Sequence, residues 1–400
     1  MTADPISIAE ARTTVLDATR PLDPVTVSVE EALGSVLAGE VRAASDVPPF
    51  ACSAMDGYAV EVGPAGRTLE VVGESRAGAP SDHPVRSGQA IRVSTGAAIP
   101  TGTGGVIRQE DVEERADAIR TGTPTSASQN VRHAGEDMRA GTVVLTPGTM
   151  LGAAELGAAV SAGAGAVTVA RRPRVAILCT GDELRAPGEP LGPGEIHNSN
   201  GPMLSSLAQR AGAQVAACQR LPDDPAITRS ALASGLEQAD LLVISGGVSV
   251  GPHDHVKPAL SALGVEQLFW RVALQPGRPT WFGAREGKLV FGLPGNPVSA
   301  VVTFTLFVRP ALQAMQGLVS RAQLISDGRL AVAVARSPHR EQALRVWVQR
   351  RDGELTVTPN GPQASHLVTS LLGADALAFI PQGEGELPAG SAVALEELAD

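Results

Sequence analysis

Residues 173–315 alternate between apolar runs and segments of helical spacing, and this alternation most constrains the fold. Val175–Cys179 is apolar throughout and Leu241–Ser245 nearly so, which is typical of strands buried on both faces of a sheet. A further strand and three helices complete the series, near Val215–Arg220, Pro202–Ala211, Ala226–Gln238 and Val256–Leu263. The pattern predicts a doubly wound α/β domain with a parallel sheet over residues 173–320.

The flanking segments predict three further domains, so the chain is expected to be a multidomain α/β plus β protein. Ser7-x-x-Glu10 and Ser28-x-x-Glu31 each fit a capping box, in which Ser and Glu satisfy the unpaired amides of a helix start. Two helices are therefore expected in residues 1–45, which share an elongated N-terminal helical linker domain with residues 141–172. Short strand-like segments broken by Gly and Pro predict an inserted small β domain at 46–140 and a C-terminal β-barrel-like domain at 321–400.

Glycine-rich and polar loops follow the strands of the predicted α/β domain, where open α/β sheets bind their ligands. Strand Leu241–Ser245 runs into Gly246-Gly247-Val248-Ser249. Successive amides there can form an anion-binding nest, and an ordinary tight turn fits the residues equally well. Asn296-Pro297 predicts a helix with an Asn cap and Pro at its first position. The positive end of that helix would face the same rim, and the plainer interpretation is simply a well-capped helix.

Several carboxylates share this predicted rim, although each one alone is typical of a helix cap. They are Asp182, Glu183, Asp223, Asp224 and Asp254. Together, beside loops able to hold phosphate, they indicate a Mg²⁺ site made mostly of oxygen ligands. His253 and His255 flank Asp254 without further ligands, so a transition-metal site is the lesser alternative.

Charge and cysteine content exclude several function classes. A net charge of −10 argues against a general nucleic-acid-binding protein, because no basic excess is present to neutralise phosphates. Cys52, Cys179 and Cys218 form no CxxC pair, so neither a zinc site nor a disulfide framework is expected. The N-terminus shows no secretory signal, and Val298–Val308 is too short to span a bilayer. A cytoplasmic protein without a membrane partner is therefore expected.

Six motifs of the chain resemble those of one known family, the molybdopterin molybdenumtransferases (the MoeA and gephyrin E-domain family). Any one motif alone would be weak, whereas six in family order over nearly the whole chain are specific. They are Ser53-Ala54-Met55-Asp56-Gly57-Tyr58-Ala59, Thr95-Gly96-Ala97-Ala98-Ile99-Pro100, Asn130-Val131-Arg132-His133-Ala134-Gly135-Glu136-Asp137, Thr180–Leu184, Ser245–Gly251 and Leu293–Ser299.

The resemblance implies an enzyme that inserts molybdate into adenylylated molybdopterin, releases AMP and requires Mg²⁺. It implies a homodimer whose active site is shared between subunits, with a molybdopterin adenylyltransferase and apo-molybdoenzymes as candidate partners. By position in the motifs, the implied catalytic residues are Asp56, Thr95, Glu183, Asp224 and Asp254, of which Glu183 and Asp254 would hold the metal. The implied substrate-binding residues are Ser245, Gly246, Gly247, Ser249, Gln275, Arg278, Pro294, Gly295, Asn296 and Pro297.

At two positions the match between this chain and the family's motifs stays open. Asp223 and Asp224 both lie in the matching Asp-Asp-Pro, so either could act. Many family members have Lys-Pro-Gly where this chain has Gln275-Pro276-Gly277. We expect Arg278 to supply the missing cation, since a guanidinium can hold two phosphate oxygens. Weaker ligand binding by an Arg278→Ala variant would support this.

Two other functions fit part of the sequence. A molybdopterin adenylyltransferase shares the α/β domain and the pterin, but it would need neither the Asp56 motif nor the two β domains. A non-catalytic, gephyrin-like scaffold would keep the fold without the chemistry, and the retained Asp56, Asp254 and Ser245-Gly246-Gly247 argue against it. The sequence leaves open whether molybdate or tungstate is preferred and which molybdoenzymes receive the product.

Overall fold

The computed structural model describes residues 4–248, 255–318, 326–351 and 353–398. The chain divides into two compact units, which we describe separately. The first comprises residues 1–25, 34–36 and 170–400, and the second comprises residues 26–33 and 37–169. The predicted α/β and C-terminal regions therefore belong to the same compact unit.

A six-stranded sheet forms the centre of the α/β region. Leu241 and Val243 face one apolar core, whereas Leu242 and Ile244 face another, so both faces of the sheet are covered and the doubly wound prediction is confirmed. The strand order is Gln214–Leu221, Arg174–Thr180, Leu241–Ser245, Lys288–Leu293, Trp281–Arg285 and Glu266–Trp270. The helices of this region are Asn200–Arg210, Pro225–Gln238, Val256–Ala262, Pro297–Thr303 and Arg309–Met315, and short strands form at Leu184–Arg185 and Ile196–His197.

The sequence predicted a parallel sheet, but the observed sheet is not wholly parallel. Its first four strands are parallel, but Trp281–Arg285 runs antiparallel to both of its neighbours, Lys288–Leu293 and the edge strand Glu266–Trp270. The cause is a tight turn at Glu286 and Gly287, both of which have positive φ. Such a pair is suited to a two-residue hairpin, which joins neighbouring strands without a crossover helix.

One long helix passes through the core of the α/β region. The sequence suggested that Val298–Val308 is too short to span a bilayer, but the helix continues through a π-helical segment, Phe304–Val308, to Met315. Among the described residues, Pro297–Met315 is thus long and apolar enough to cross a membrane by length and composition. However, most of this helix is buried inside the protein, so packing against the sheet accounts for its apolar character.

The C-terminal region forms a closed five-stranded barrel, which confirms the predicted β-barrel-like domain. In order around the barrel, the strands are Glu341–Arg351, Glu354–Pro359, Ser326–Leu330, Ala392–Glu397 and Ala376–Ile380, and the last pairs again with the first. Short strands Val334–Ala335 and Glu386–Leu387 pair with each other, and a 3-10 turn spans Val368–Leu371. Strand Leu274–Gln275 of the α/β region adds to the barrel through Glu341 and Gln342.

The first helix, Ile8–Ala18, begins at the predicted capping box, and Ser7 and Glu10 make both of its reciprocal hydrogen bonds. Ile8, Ala11 and Val15 are buried in the core of the α/β region. The helix therefore belongs to the first compact unit, whereas the sequence grouped it with residues 141–172. The remaining predicted domain boundaries stay predictions.

The prediction of a second helix within residues 1–45 is wrong. Pro24–Ser28 forms a strand, and only a 3-10 turn, Val29–Glu31, follows it, without a side-chain cap from Ser28. The β-branched residues of the strand favour extended backbone, and Gly34 with φ of 71° turns the chain soon afterwards. The capping-box pattern therefore marked only a short turn.

The second compact unit is built around a mixed six-stranded sheet, in agreement with the predicted inserted β domain. The strand order is Gly105–Arg108, Gly57–Val60, Gln89–Val93, Thr68–Ser75, Ala118–Thr121 and Val112–Arg115. Outside this sheet lie the helix Ala153–Ser161, the 3-10 turn Gln109–Asp111 and the strands Val41–Arg42, Cys52–Ser53, Val131–Arg132, Val143–Leu145 and Ala166–Ala170. The predicted helix within 150–166 is confirmed.

Glu396 ties three parts of the first compact unit together and should matter for stability. Its carboxylate accepts hydrogen bonds from Arg12 of the first helix and from Arg309 of the long helix, the latter at 2.8 Å. Its side chain is 8% exposed and those of the two arginines about a fifth. Removing one member of a buried ion pair leaves charges uncompensated. We therefore expect Glu396→Ala to cost on the order of 3 kcal/mol, the lower end of the range for buried pairs.

The measurement is the thermal unfolding midpoint, with Glu354→Ala as the control. Glu354 pairs with Arg329 on the barrel surface, where both side chains are more than half exposed. Such a pair contributes at most about 1 kcal/mol. Equal midpoints for the two variants would contradict the structural role of Glu396.

Candidate functional site

The glycine loop after strand Leu241–Ser245 requires glycine at two positions. Gly246 and Gly247 have φ of 90° and 66°, a region that other residues rarely adopt. A Cβ on Gly246 would lie 2.8 Å from Thr180 Oγ1, and one on Gly247 would lie 2.6 Å from Val256 Cγ2. The Gly246 amide donates to the Leu293 carbonyl at 3.1 Å. Thr180 and Val256 therefore leave no room for a side chain at these two positions.

The two amides that follow in this loop have no partner among the residues that the structure describes. The N–H groups of Gly247 and Val248 donate to no residue within the described ranges. Consecutive unpaired amides in a left-handed turn form a concave nest for an anion. Of the two interpretations left open by the sequence, an anion-binding nest or a plain turn, the geometry favours the nest.

The loop Pro294-Gly295-Asn296 lies next to the glycine loop, because Ser245 and Leu293 are register partners in parallel strands. The nearest atom to a Cβ placed on Gly295 would be Gly246 Cα, at 3.8 Å. A larger residue at Gly295 would therefore extend toward the glycine loop. The long helix begins here at Pro297, as predicted.

The predicted side-chain cap of this helix is wrong. Asn296 occupies the cap position but makes no capping hydrogen bond. Its amide Nδ2 instead donates to Ser365 Oγ at 2.9 Å, and the Val298 amide donates to the Ser365 carbonyl at 3.1 Å. Ser365 lies on a loop of the C-terminal barrel region, far away in sequence, so no local pattern could have indicated it.

Asn200 joins the two loops and was missed by the sequence analysis. Its Nδ2 donates to Ser245 Oγ at 2.8 Å and to the Gly295 carbonyl at 2.7 Å, and the residue is only 8% exposed. One buried amide thus holds the ends of two neighbouring strands together. The available signal was a polar residue at the start of helix Asn200–Arg210, close to the carboxyl ends of the strands.

The carboxylates on the loops after strands Arg174–Thr180 and Gln214–Leu221 differ in the hydrogen bonds that they accept. Asp224 caps helix Pro225–Gln238, with its Oδ1 accepting from the amides of Ala226 and Ile227 at 2.8 Å each. Asp182 Oδ1 accepts from the Asp223 amide at 3.1 Å. The carboxylates of Glu183 and Asp223 are exposed and form no hydrogen bond or ion pair among the described residues. Asp224 therefore has a clear helix-capping role, and Asp223 is the freer of the two.

The predicted metal site cannot be assembled from the described part of the chain. Asp254, Ser249 and His253 lie outside the described residues. Within those residues, no three His, Cys, Asp or Glu side chains form a metal-binding group. The assignment of Glu183 and Asp254 as Mg²⁺ ligands stays a prediction.

Asp56 and Thr95, two of the catalytic residues that the resemblance implies, lie together in the second compact unit. Asp56 Oδ1 accepts from the Thr95 amide at 2.7 Å and from Thr95 Oγ1 at 3.0 Å. The backbone bond and then the hydroxyl bond hold the pKa of the exposed Asp56 carboxyl below its ordinary value. The carboxylate is therefore ionised and held in one orientation.

Tyr58, the only tyrosine of the chain, supports the strands that carry this pair. It is opposite Arg92 in the antiparallel register of Gly57–Val60 and Gln89–Val93. Its hydroxyl donates to Glu114 and accepts from Arg92, both at 2.6 Å. Burial and the Glu114 bond raise the pKa of Tyr58 to about 12. Asp56 precedes one strand and Thr95 follows the other, so this register brings the two residues together.

Gln275 and Arg278 lie on the segment between strands Glu266–Trp270 and Trp281–Arg285 of the α/β region. Gln275 pairs with Gln342 of the barrel. A Cβ on Gly277, where φ is 126°, would lie 2.6 Å from Thr303 Cγ2 of the long helix, so this turn packs tightly against that helix. The Arg278 guanidinium is exposed and has no hydrogen bond or ion pair among the described residues. It is available to an anion, although its role stays a prediction.

Comparisons with known proteins cover nearly the whole chain. Family models for the MoeA N-terminal region (domain I and II), a probable molybdopterin binding domain and the MoeA C-terminal region (domain IV) match residues 6–163, 176–314 and 327–398. Molybdopterin molybdenumtransferase 2 of Mycobacterium tuberculosis (strain H37Rv) is 35% identical, over 98% of this chain and 99% of the relative. Molybdopterin molybdenumtransferase of Haemophilus influenzae is 35% identical over 98% of each chain. The crystal structure of the molybdopterin biosynthesis MoeA protein from Pyrococcus horikoshii OT3 matches with a TM-score of 0.82 and 30% identity, over 98% of this chain and 99% of that one.

The Asp56–Thr95 contact predicts a measurable change in the titration of Asp56. Thr95→Val removes the hydroxyl bond but keeps the backbone N–H, which is the larger cause of the lowered pKa. The pKa of Asp56 should therefore rise toward its ordinary value and remain below it. Carboxyl-carbon NMR titration measures this directly. Thr103→Val is the control, because the Thr103 hydroxyl donates to the Pro100 carbonyl of the same unit at 2.7 Å. An Asp56 titration that is unchanged by Thr95→Val would show that the hydroxyl bond is absent in solution.

Proposed function

Because this chain belongs to the molybdopterin molybdenumtransferase family, we propose that it inserts molybdate into adenylylated molybdopterin and releases AMP. The chain is an enzyme of molybdenum cofactor biosynthesis, as its curated relatives of 31–35% identity over 98% of the chain are. The adenylylated substrate, the AMP product and the need for Mg²⁺ are the parts that we add.

The amides of Gly247 and Val248, which have no partner within the described part of the chain, are the observation that carries this proposal. They lie beside the loop that leads into the helix starting at Pro297, whose first turn adds a positive dipole. A phosphate or molybdate oxyanion is the ligand that such a combination favours. Asn200 keeps the two loops in register, so the binding site would be formed before the ligand arrives.

Charge repulsion is the main barrier to bringing these reactants together. Molybdate and the phosphoanhydride are both anionic, and the chain itself carries a net charge of −10. The backbone amides and the exposed Arg278 offset part of this repulsion. The dithiolene sulfurs belong to the substrate, so the reaction needs no protein thiol. This fits a buried Cys179, whose pKa burial raises to about 12.

Mg²⁺ fits the residues available at this rim. The Glu183 carboxylate is exposed and without a partner among the described residues, and its oxygen atoms are hard ligands of the type Mg²⁺ prefers. Mg²⁺ is commonly held by one or two carboxylates together with substrate phosphates, so Glu183 and Asp254 suffice as protein ligands. When bound, the ion would neutralise charge on the leaving AMP phosphate.

We propose that the chain forms a homodimer and that its active site is shared between the subunits, as the family resemblance implies. We also propose that a molybdopterin adenylyltransferase supplies the substrate, that apo-molybdoenzymes receive the product and that the reaction takes place in the cytoplasm. The adenylyltransferase and scaffold functions remain the two alternatives.

A single-turnover assay of AMP release tests the reaction itself. With adenylylated molybdopterin, AMP should appear only when both molybdate and Mg²⁺ are present, and a chelator should abolish its release. Asp254→Asn should lose about a hundredfold or more in rate, since it removes charge from the proposed metal site. Glu354→Gln on the barrel surface is the control for a lost carboxylate.

Each contrary result of this assay has a distinct meaning. Wild-type rates without Mg²⁺ would contradict the metal proposal alone. Conversion of molybdopterin and ATP to the adenylylated form would identify an adenylyltransferase. No turnover with either molybdate or tungstate would favour the scaffold.

Mixed dimers test whether the site is shared. Asp56→Ala and Asp254→Ala chains should each be inactive alone, and a purified heterodimer should have about half of the wild-type activity. In a two-fold symmetric dimer one shared site would receive both lesions and the other neither. An inactive heterodimer would show that each site lies within one subunit.

A further inference from the structure

Trp270 has no part in the function proposed above, yet it contacts the glycine loop directly. Its indole Nε1 donates to the carbonyl oxygen of Val248 at 3.2 Å. Trp270 ends the edge strand Glu266–Trp270, whereas Val248 follows the glycine pair of another strand. This hydrogen bond therefore links the edge of the sheet to the proposed anion-binding nest.

Val248 is the residue by which the loop is anchored. It is 2% exposed, and its side chain packs over Gly292, where any Cβ would collide with it. At the other end of the loop, the Gly246 amide is bound to the Leu293 carbonyl. With the Trp270 bond to its carbonyl, Val248 is fixed at both the side chain and the backbone. The unpaired amides of Gly247 and Val248 thus lie between two anchored points.

Two cations pack on the Trp270 ring. Lys257 Nζ lies 4.1 Å and Arg271 Cζ 4.2 Å from the ring centroid. Consecutive side chains of a strand point to opposite faces, so an extended Arg271 would point away from its neighbour's ring. Arg271 instead has a φ of 75°, a conformation unfavourable for a residue with a side chain. Its guanidinium reaches the ring at the cost of that backbone strain.

These cations affect the indole hydrogen bond and the charge of the site. A cation over the ring draws π density toward itself, which makes the indole N–H a better donor to Val248 by polarisation. Both positive charges also lie close to a loop that we propose holds an anion. Lys257, one of only two lysines in the chain, supplies one of these two charges.

We propose that Trp270 is a positioning residue: its cation-packed indole holds Val248 so that the Gly247 and Val248 amides are aimed at the substrate anion. This inference rests on the proposed function, because it assumes that the nest binds an anionic part of adenylylated molybdopterin. It adds a residue that touches the loop and not the reacting atoms.

Trp270→Phe separates positioning from simple packing. Phenylalanine keeps an aromatic ring for the sheet and for the two cations but has no N–H donor. The matched control is Trp281→Phe. Trp281 is the register partner of Trp270 in the adjacent strand, and its indole donates to Gln267 Oε1 at 2.8 Å, away from the loop. Each variant therefore loses one indole hydrogen bond from the same sheet edge.

The measured quantities are the KM for adenylylated molybdopterin and the kcat of molybdate-dependent AMP release, with Mg²⁺ present. Trp270→Phe should raise KM about three- to tenfold, the effect of one lost hydrogen bond. Its kcat should change less than about twofold, because the nest binds ground state and transition state alike. Trp281→Phe should change neither by more than about twofold.

The outcomes distinguish this inference from the function on which it rests. Equal KM values for the two variants, with an active wild-type enzyme, would overturn the positioning role and leave the proposed function intact. A wild-type enzyme that releases no AMP under these conditions would overturn both. A fall in kcat alone would also contradict the inference, since it would place Trp270 in the chemistry.

A second measurement uses the wild-type protein and does not depend on the variant folding. In enzyme labelled with ¹⁵N-tryptophan, the three indole N–H signals report Trp270, Trp281 and Trp347, and Trp347→Phe on the exposed barrel surface aids assignment. Binding of adenylylated molybdopterin should shift the Trp270 signal and slow its hydrogen exchange, because an anion held by the Gly247 and Val248 amides would restrain the backbone whose Val248 carbonyl accepts the indole hydrogen bond. The Trp347 signal should not move. An unshifted Trp270 signal in the saturated complex would overturn the proposal.

Discussion

The parallel register of three buried strands is the constraint on which the rest of the structure depends. Cys179 is opposite Ser245, and Ser245 is opposite Leu293, so three loops leave the sheet at one level. The strands are apolar because both faces of the sheet are covered. That burial leaves the polar chemistry to the loops, where glycine and asparagine replace large side chains. Loss of this register would separate the glycine loop from the start of the long helix.

The proposed site places a backbone conformation that most residues disfavour beside backbone N–H groups that have no partner among the described residues. Gly246 and Gly247 adopt left-handed backbone, and the amides of Gly247 and Val248 lack partners among the described residues. Unpaired donors reduce the stability of the free protein, and an anion would satisfy them. The same logic applies to Asp56, where Thr95 holds the carboxylate ionised at the surface of the other compact unit. If both places bind the substrate as proposed, the charged or polar groups are already held in position in the free protein.

Local patterns predicted those features whose cause is local. The apolar runs identified the buried strands, and Ser7 with Glu10 identified a helix start, because those signals lie within a few residues. The Ser28 pattern wrongly predicted a helix, because the β-branched residues of strand Pro24–Ser28 favour extended backbone and Gly34 turns the chain soon afterwards. Asn200, Ser365 and Trp270 could not be found in this way, because each acts on a loop more than 20 residues away in sequence. The antiparallel sheet edge likewise depended on a single Glu286-Gly287 turn. The family resemblance predicts that Asp56 and Thr95 are site residues, and the structure shows that the two are joined by hydrogen bonds.

The crystal structure of the Asp254→Ala enzyme with adenylylated molybdopterin bound is the most direct test of the central claim, which is that the glycine loop binds the substrate anion through its backbone. We expect a phosphate oxygen within about 2.7–3.2 Å of the amide nitrogens of Gly247 and Val248, with the Trp270–Val248 bond retained. A fully occupied ligand whose phosphates lie elsewhere, with these amides facing solvent, would contradict the claim.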